Sequence, residues 1–447
     1  MLYERWQQIA RERHAELALH DLATGERWTF AQLDAARPTR PLPADGLVCP
    51  QGNRAAFILE VLQAWRTGRV LCPHEPAQPS PAPPPPPPGI VQLKTTSATT
   101  GNARLIAFTG PQLAADADQI VRTMGLRPDW PNLGAISLAH SYGYSNLVLP
   151  LLLHGIPLFL LESTLPEAVR RSAALAPELT LAAVPALWRA WHEAGAIPSN
   201  VRVAISAGAP LPLALEASIF TATGLKLHNF YGASECGGIA YDASDTPRTD
   251  PACVGSPMEG VRLAVSADGC LEVCSPAVAE CYWPAAEGSL GQGRFRTTDL
   301  AELSEGRVHL RGRAGDQINV AGRKVAPETV ERELQQHSLV GDCLVFGASA
   351  PGQDRSEMIV ACVVAKSALA SDELRHFLLA RLPAWQVPRE WRFVDSLAPN
   401  ARGKLSRAQW RMRLGFSEAG NRTAGAEASA KAGAARAAQR SAGSETR

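Results

Sequence analysis

A predicted strand that runs directly into a predicted helix constrains the fold of this chain more than any other feature. Residues 201–208, VRVAISAG, alternate with the period of two that is typical of a β-strand. Residues 209–224 follow at once and have the pattern of a helix that ends at Gly224. Residues 358–365, MIVACVVA, predict a second strand, and a helix capped by Ser371 follows it. Because repeated strand-to-helix order favours parallel sheets covered by helices, we predict an α/β fold.

Length and charge limit the function. The chain has 447 residues, enough for two or three domains at about 100 to 200 residues each. Lys and Arg number 44, and Asp and Glu number 43. Since the charges balance, no overall field would draw the protein to nucleic acid or to an anionic membrane. A small molecule or another protein is therefore the expected partner.

The sequence also predicts a cytoplasmic protein. The charged N-terminal region lacks the apolar segment of a secretory signal. The most apolar window, 146–161, is interrupted by prolines and is shorter than the roughly 18 residues of a membrane span. We expect this window to form buried strand and helix pieces. The nine cysteines include no CxxC pair and are interpreted as reduced, mostly structural thiols.

Two segments differ in composition from the rest of the chain. Residues 73–90 contain six consecutive prolines. This run favours an extended linker, and an SH3-type ligand is the alternative. Residues 417–447 contain Ala, Gly, Ser and isolated charges without an aromatic side chain. Because such a segment cannot bury enough apolar surface, we predict a disordered tail.

A loop rich in hydroxyl groups leaves another predicted strand. In residues 94–104, KTTSATTGNAR, five Ser and Thr side chains precede Gly101 and Arg104. Such a loop can direct hydroxyl and backbone N–H groups at phosphate oxygens, and glycine permits a close approach. The Walker pattern is absent, however, and a Ser/Thr cluster alone is also typical of a solvated turn. The loop therefore indicates a phosphate site only together with other motifs.

Four further stretches follow the loop in order, at residues 229–238, 295–303, 310–331 and 399–407. They read NFYGASECGG, FRTTDLAEL, LRGRAGDQINVAGRKVAPETVE and PNARGKLSR. With the loop, they resemble the signature motifs of the adenylate-forming superfamily of acyl-CoA synthetases, adenylation domains and luciferases. The resemblance covers nearly the whole chain except the tail.

This resemblance implies a fold of two parts. Residues 1–314 would form a large AMP-binding domain of layered sheets and helices, and residues 315–416 a small, mobile α+β domain. In the family, a sizeable segment separates the N-terminal strand and helix elements from the phosphate loop. Here only the proline-rich linker occupies that place, so we expect a shortened N-terminal subdomain. The small domain of the family rotates about a hinge, which corresponds to Gly315 here.

The resemblance also implies a reaction. In the family, a carboxylate attacks the α-phosphate of ATP to give an acyl-adenylate and pyrophosphate, and a thiol then forms a thioester. We therefore expect a carboxylic acid substrate, ATP, Mg²⁺, and either CoA or a phosphopantetheinyl carrier protein. The carboxylate and ATP are both anions, so the site must position them for reaction and neutralise their charge. The alternatives are an amino-acid-adenylating or lactone-forming enzyme, and a nucleotide-binding regulatory protein that has lost activity.

The motifs assign roles at the nucleotide by resemblance. Asn229 would bind the adenine amine, and Tyr231 would stack on the base. Asp299 would accept hydrogen bonds from the ribose hydroxyls, with Arg313 as its companion. Loop residues would hold the β- and γ-phosphates, and the backbone of the SAGAPL turn would lie along the adenine. The loop residues are Thr96, Ser97, Thr99, Thr100, Gly101 and Arg104. The turn residues are Ala207, Gly208 and Ala209.

Other residues would carry the chemistry. Ser234 would bond the α-phosphate, and Glu235 would ligate Mg²⁺, a cation that prefers oxygen ligands. Lys404 would bridge the carboxylate and the phosphate ester oxygen. His140 matches a gate of the carboxylate pocket in many relatives, although a single His beside an apolar run is also typical of a hydrogen-bonded core. Small residues would line the pocket, namely Ser206, Cys236, Gly237, Gly238 and Ile239.

The chain departs from the family motifs at several positions. Ala98 stands where the family has Gly, Ala103 where it has Pro, and Thr298 where it has Gly. Arg104 replaces Lys, which keeps the charge but changes its reach and hydrogen-bond geometry. None of these changes removes a group assigned to charge neutralisation. The sequence does not identify the acid or the oligomeric state.

Overall fold

The computed structural model describes residues 1–38, 46–76, 83–95, 104–349, 357–397 and 406–416. The chain divides into two compact units, Met1–Leu310 and Arg311–Arg447. A large mixed α/β unit followed by a small one confirms the predicted fold class. The domain limits that we set at 314 and 315 stay a prediction, and the predicted tail lies outside the described residues.

The first unit begins as a mixture of strands and helices, and strands predominate after Gly224. The strands are β1 (Leu17–Asp21), β2 (Glu26–Thr29), β3 (Ile90–Thr95), β4 (Leu105–Thr109), β5 (Asn132–Gly134), β6 (Leu158–Leu160), β7 (Leu179–Ala183), β8 (Val201–Ser206), β9 (Leu227–Ala233), β10 (Gly237–Tyr241), β11 (Cys253–Pro257), β12 (Arg262–Val265), β13 (Cys270–Cys274), β14 (Cys281–Trp283), β15 (Leu290–Gly291), β16 (Arg294–Ser304) and β17 (Arg307–Arg313). The helices are α1 (Leu2–Glu12), α2 (Phe30–Ala35), α3 (Ala55–Arg66), α4 (Gly110–Met124), α5 (Ser141–Gly143), α6 (Leu149–His154), α7 (Pro166–Ala173), α8 (Pro185–Glu193) and α9 (Leu213–Thr223), with a π-helical segment, Tyr144–Val148, between α5 and α6.

One half of the main sheet is parallel. Neighbouring strands run in the order β1, β6, β5, β7, β8 and β9, and each adjacent pair is parallel. In β8, Ala204 and Ile205 belong to two different apolar clusters. Both faces of this strand are therefore covered, as is usual for parallel strands. This explains why only Arg202 of β8 is exposed.

The other half of the sheet is largely antiparallel. From β9 the sheet continues through β10, β11, β17, β16, β13 and β12. The pairs β9 with β10, β10 with β11, and β13 with β16 are antiparallel. A separate antiparallel sheet joins β3, β4 and β14. Strand β9, which carries Asn229 and Tyr231, therefore lies where the parallel half of the main sheet changes to the antiparallel half.

Local signals account for the limits of the helices near the site. Helix α9 ends at Gly224, as predicted, because this glycine adopts the left-handed conformation with φ 72°. Helix α4 follows β4 and ends in the same way at Gly125, with φ 62°. At its start, the backbone N–H of Thr109 donates to Oε1 of Gln112 at 2.8 Å. These caps fix where the chain turns back onto the sheet.

The apolar window 146–161 forms the buried pieces that we expected. The π-helical segment Tyr144–Val148 continues into α6, Gly155 ends α6 with φ 66°, and β6 follows. Within the described parts of the chain, no helix is both long and apolar enough to cross a membrane.

The second unit is a smaller α+β arrangement. Its strands are β18 (Ile318–Val320), β19 (Arg323–Val325), β20 (Val340–Ser349), β21 (Glu357–Ala365) and β22 (Glu390–Phe393), and its helices are α10 (Pro327–Leu334), α11 (Ser371–Leu379) and α12 (Arg407–Arg413). Strands β20, β21 and β22 form one sheet. The predicted strand 358–365 is confirmed as β21. The helix after it starts at Ser371, but Ala370 occupies the cap position that we predicted for Ser371.

Candidate functional site

The residues predicted to bind the base and the ribose meet in the first unit. Tyr231 lies on β9, and Asp299 lies on β16. The Tyr231 hydroxyl donates to Oδ2 of Asp299 at 2.5 Å. The backbone N–H of Asp299 donates to Oγ1 of Thr297 at 3.0 Å, which fixes the local backbone that carries this carboxylate. The structure thus brings together the aromatic residue predicted for the base and the carboxylate predicted for the ribose.

The remaining adenine residues lie at the carboxyl end of the parallel strands. Asn229 is buried on β9 and pairs with Ser206, the last residue of β8. Ala207 follows directly and donates its backbone N–H to the carbonyl of Ala183 at 3.3 Å. Gly208 has φ +85°, a conformation that favours glycine. Ligands of open α/β sheets bind at this edge, so the position suits the predicted base contact.

The turn between β9 and β10 presents Ser234 and Glu235. The carbonyl of Glu235 accepts from the backbone N–H of Ala279 at 2.9 Å. Its Oε1 accepts from the Tyr282 hydroxyl at 3.1 Å. Burial, with the nearby charge of Glu235, raises the pKa of Tyr282 above its ordinary value of 10.0. Tyr282 therefore keeps its proton near neutral pH and fixes one carboxylate oxygen.

Tyr282 also links this turn to the base of the phosphate loop. The Arg104 guanidinium lies 5.5 Å from the centre of the Tyr282 ring. Its Nη1 forms a 2.8 Å ion pair with Oε2 of Glu287. Strand β14 pairs with β4, which places Tyr282 opposite Ile106, two residues beyond Arg104. The predicted phosphate cation and the predicted metal ligand thus contact the same aromatic side chain.

The phosphate loop itself lies outside the described residues, including Thr96, Ser97, Ala98, Thr99, Thr100, Gly101 and Ala103. The strands on either side of it are described. Thr95 at the end of β3 is paired with Leu105 at the start of β4. The two ends of the loop therefore meet beside Arg104.

His140 precedes α5 and is partly exposed. Its Nε2 lies 3.6 Å from Oε1 of Glu75. That carboxylate also accepts from the Ser137 hydroxyl at 2.6 Å. The role of His140 as a gate stays a prediction. Glu75 and Tyr282 were missed by the sequence analysis, since neither belongs to a recognisable motif.

Arg313 and Lys404 belong to the part of the chain after Leu310. Strand β17 begins in the first unit and extends past Leu310, so that Arg313, its last residue, belongs to the second unit. Lys404 lies outside the described residues. Arg407, three positions after Lys404, is described and forms ion pairs with Asp316 at 3.0 Å and with Glu331 at 2.8 Å. Asp316 ends the short 3₁₀ turn Ala314–Asp316, which contains the predicted hinge. Within this unit, the segment after Lys404 is therefore bonded to the hinge turn.

The donor set suits a hard cation. Glu235 offers carboxylate oxygens, which Mg²⁺ prefers, and Mg²⁺ usually takes its remaining ligands from phosphates and water. Among the described residues, no group of three or more His, Cys, Asp or Glu side chains could hold a metal by itself. A cation at Glu235 would therefore depend on ligands from the nucleotide.

Comparisons with known proteins agree with this arrangement. A family model described as AMP-binding enzyme matches residues 8–283, and a model described as AMP-binding enzyme C-terminal domain matches residues 329–404. The chain is 31% identical over 396 residues to a probable 2-succinylbenzoate–CoA ligase of Mycobacterium tuberculosis, which covers 80% of this chain and 95% of that protein. It is 29% identical over 345 residues to feruloyl-CoA synthase of Amycolatopsis sp. This match covers 72% of this chain and 70% of that protein.

Solved structures show the same fold. ATP-bound MatB from Rhodopseudomonas palustris matches with a TM-score of 0.81 at 20% identity, over 92% of this chain and 98% of that one. The O-succinylbenzoate coenzyme A synthetase of Bacillus subtilis in complex with AMP matches with a TM-score of 0.76 at 20% identity, over 91% and 97% of the two chains.

Proposed function

Because the chain belongs to the AMP-binding enzyme family, we propose that it joins an aromatic carboxylic acid to CoA through an acyl-adenylate. The broader function, ATP-dependent activation of a carboxylic acid followed by transfer to a thiol, is the one predicted from the sequence. The family match and the relatives named as CoA ligases confirm it. The aromatic substrate, the metal and the residue roles are part of our proposal.

The hydrogen bond from Tyr231 to Asp299 carries the assignment of residues. The ring of Tyr231 would present its face to the adenine. The carboxylate of Asp299 would accept from the ribose hydroxyls. Asn229 lies two residues before Tyr231 on the same strand, where its amide would read the edge of the base. One short region of the sheet would thereby fix the nucleoside.

Mg²⁺ would be held by Glu235, and the ion supplies charge neutralisation for the phosphate oxygens. Tyr282 would keep the carboxylate of Glu235 oriented toward it. Arg104 would add positive charge at the end of the phosphate loop, and Lys404 would approach the acid. These cations would lower the repulsion between the acid and the α-phosphate.

Two observations support an aromatic acid with a polar substituent. The relatives feruloyl-CoA synthase and 2-succinylbenzoate–CoA ligase are named for aromatic acids. The Ser206 hydroxyl is fully buried and has no hydrogen-bond partner among the described residues. Such a hydroxyl would suit a phenol or carbonyl on the substrate, because a buried polar group is costly when unpaired.

A product assay tests this proposal. The protein would be incubated with ATP, Mg²⁺ and a panel of aromatic and aliphatic acids, with CoA or a holo-carrier protein as acceptor. We expect AMP and an aryl-CoA thioester, detected by mass spectrometry. A thioester formed only on the carrier protein, or hydroxamate formation without any thioester, would contradict the CoA assignment. Absence of ATP consumption with every acid would favour the regulatory alternative.

A further inference from the structure

A buried ammonium group lies beside the candidate site and was not assigned by the sequence analysis. Lys94, on β3, is only 4% exposed. Its Nζ lies 3.9 Å from Oδ2 of Asp116 and 3.5 Å from Oγ of Ser141, and it lies 4.4 Å from the centre of the Phe108 ring. Burial lowers the pKa of Lys94 from its ordinary value of 10.5, and the charge of Asp116 opposes this shift.

Asp116, the partner of Lys94, supports the turn that carries Glu235. Its Oδ2 accepts from the Ser145 hydroxyl at 2.5 Å, and its Oδ1 accepts from the backbone N–H of Gly238 at 3.3 Å. A Cβ atom added to Gly237 would lie 1.9 Å from Oδ1 of Asp116. The carboxylate therefore packs directly against the backbone that follows Glu235, and glycine is required there.

The pair connects three parts of the candidate site. Lys94 lies two positions before Thr96, where the phosphate loop begins. Ser141, which Lys94 contacts, is the neighbour of His140. Asp116 bonds to Gly238, three positions after Glu235. The two charged groups therefore link β3, the strand before the predicted phosphate loop, to the turn that carries Glu235.

Stability alone is a poor explanation for this pair. A buried ion pair offsets its desolvation only with short, complete hydrogen bonds, and apolar residues of similar size often stabilise a fold as well. At 3.9 Å, the pair of Lys94 and Asp116 lacks such geometry. Lys226 offers a contrast in the same unit, since its buried ammonium donates to Glu216, to Asp242 at 2.7 Å and to the carbonyl of Leu227 at 3.0 Å.

We propose that Lys94 and Asp116 are a positioning pair for adenylation, which hold the strand before the phosphate loop in register with the Glu235 turn. This inference rests on the proposed function. Asp116 holds the backbone at Gly238, and Lys94 balances its charge close to Glu235. Neither residue needs to contact the acid or ATP. Their effect is on the maximal rate, because geometry at the reacting atoms determines it.

Three variants test the pair, namely Lys94→Met, Asp116→Asn and the double variant. Each would be compared with the wild type in acid-dependent exchange of pyrophosphate into ATP, with separate values for maximal rate and for the KM of ATP and acid. We expect each single change to lower the maximal rate about tenfold or more. The double variant should lose less than the product of the two single losses, because neither charge is then left unpaired.

Lys226→Met is the matched control, since it also removes a buried ammonium from the same unit. We expect it to lower the melting temperature while the folded protein keeps the wild-type maximal rate. If the Lys94 and Asp116 variants behave in the same way, the pair is only structural and the inference is wrong. If Lys94→Met does not fold, Asp116→Asn, which keeps the shape of the side chain, still tests whether the pair affects the maximal rate. A wild type without exchange for any acid would instead overturn the proposed function itself, and the inference with it.

Discussion

The hydroxyl of Tyr231 and the carboxylate of Asp299 are joined by a 2.5 Å hydrogen bond, although the two residues are 68 positions apart in the chain. They belong to two motifs that the sequence analysis assigned separately, one to the base and one to the ribose. Their contact supports our proposal that both residues belong to one nucleoside site, since the two parts of adenosine are covalently joined.

Removal of the Tyr231 hydroxyl should weaken nucleotide binding without affecting the fold. Tyr231→Phe keeps the ring for stacking but removes the hydroxyl that donates to Asp299. A hydrogen bond to a charged group contributes about 1.5 to 3 kcal/mol, so we expect the KM for ATP to rise about tenfold. Tyr3→Phe is a matched control, because the Tyr3 hydroxyl also donates to an aspartate, Asp34, at 3.2 Å. An unchanged KM in Tyr231→Phe would argue against a nucleoside at this position.

Tyr282 should determine how tightly the enzyme binds its metal. Tyr282→Phe removes the donor that orients Oε1 of Glu235. Loss of a partner that orients a metal ligand typically costs 10- to 100-fold in affinity, so we expect about a tenfold rise in the Mg²⁺ concentration for half-maximal exchange. Glu235→Gln should have a larger effect on the same titration. Identical Mg²⁺ titrations for the wild type and Glu235→Gln would show that the metal is bound elsewhere.

Variants of Arg104 and Glu287 should show whether Arg104 acts in phosphate binding or in the stability of the fold. Their ion pair is exposed, at 53% and 45% of the two side chains, so its contribution to stability should be below about 1 kcal/mol. Glu287→Ala is therefore expected to leave the melting temperature nearly unchanged and to preserve exchange. Arg104→Ala should raise the KM for ATP, and Arg104→Lys should restore it. Equal effects of Glu287→Ala and Arg104→Ala on the KM for ATP would indicate that the ion pair, not the cation, is needed.

Glu331 should give the second unit a pH-dependent stability. Burial raises its pKa from 4.5 to about 7, against the opposing effect of Arg407. Since the folded state binds this proton more tightly than the unfolded state, the stabilising effect is complete below about pH 4.5. It is lost as the pH rises through about 7. Denaturant unfolding across this range should show a fall in the free energy of unfolding with rising pH, and Glu331→Gln should show a smaller one. An equal fall in both proteins would exclude Glu331 as its source.

Sequence patterns predicted the residues whose position depends on short local segments. Tyr231 and Glu235 lie in one strand and its following turn, so their spacing alone fixes their relation. The end of α9 at Gly224 could be predicted for the same reason, because the left-handed conformation favours glycine.

Residues brought in by long-range pairing could not be predicted. Tyr282 on β14 donates to Glu235 across 47 positions of the chain, and no local pattern encodes that contact. Asp116 and Lys94 lie on different elements, and each resembles an ordinary surface charge in the sequence.

The chain belongs to a family that activates carboxylic acids as acyl-adenylates, and we propose that its own adenylation step depends on Lys404. Acid-dependent exchange of radioactive pyrophosphate into ATP tests it most directly, since exchange requires reversible formation of the acyl-adenylate. We predict exchange with an aromatic acid in the wild type and its loss in Lys404→Ala, with an unchanged melting temperature. Exchange at the wild-type rate in Lys404→Ala, or no exchange in the wild type with any acid, would contradict this account.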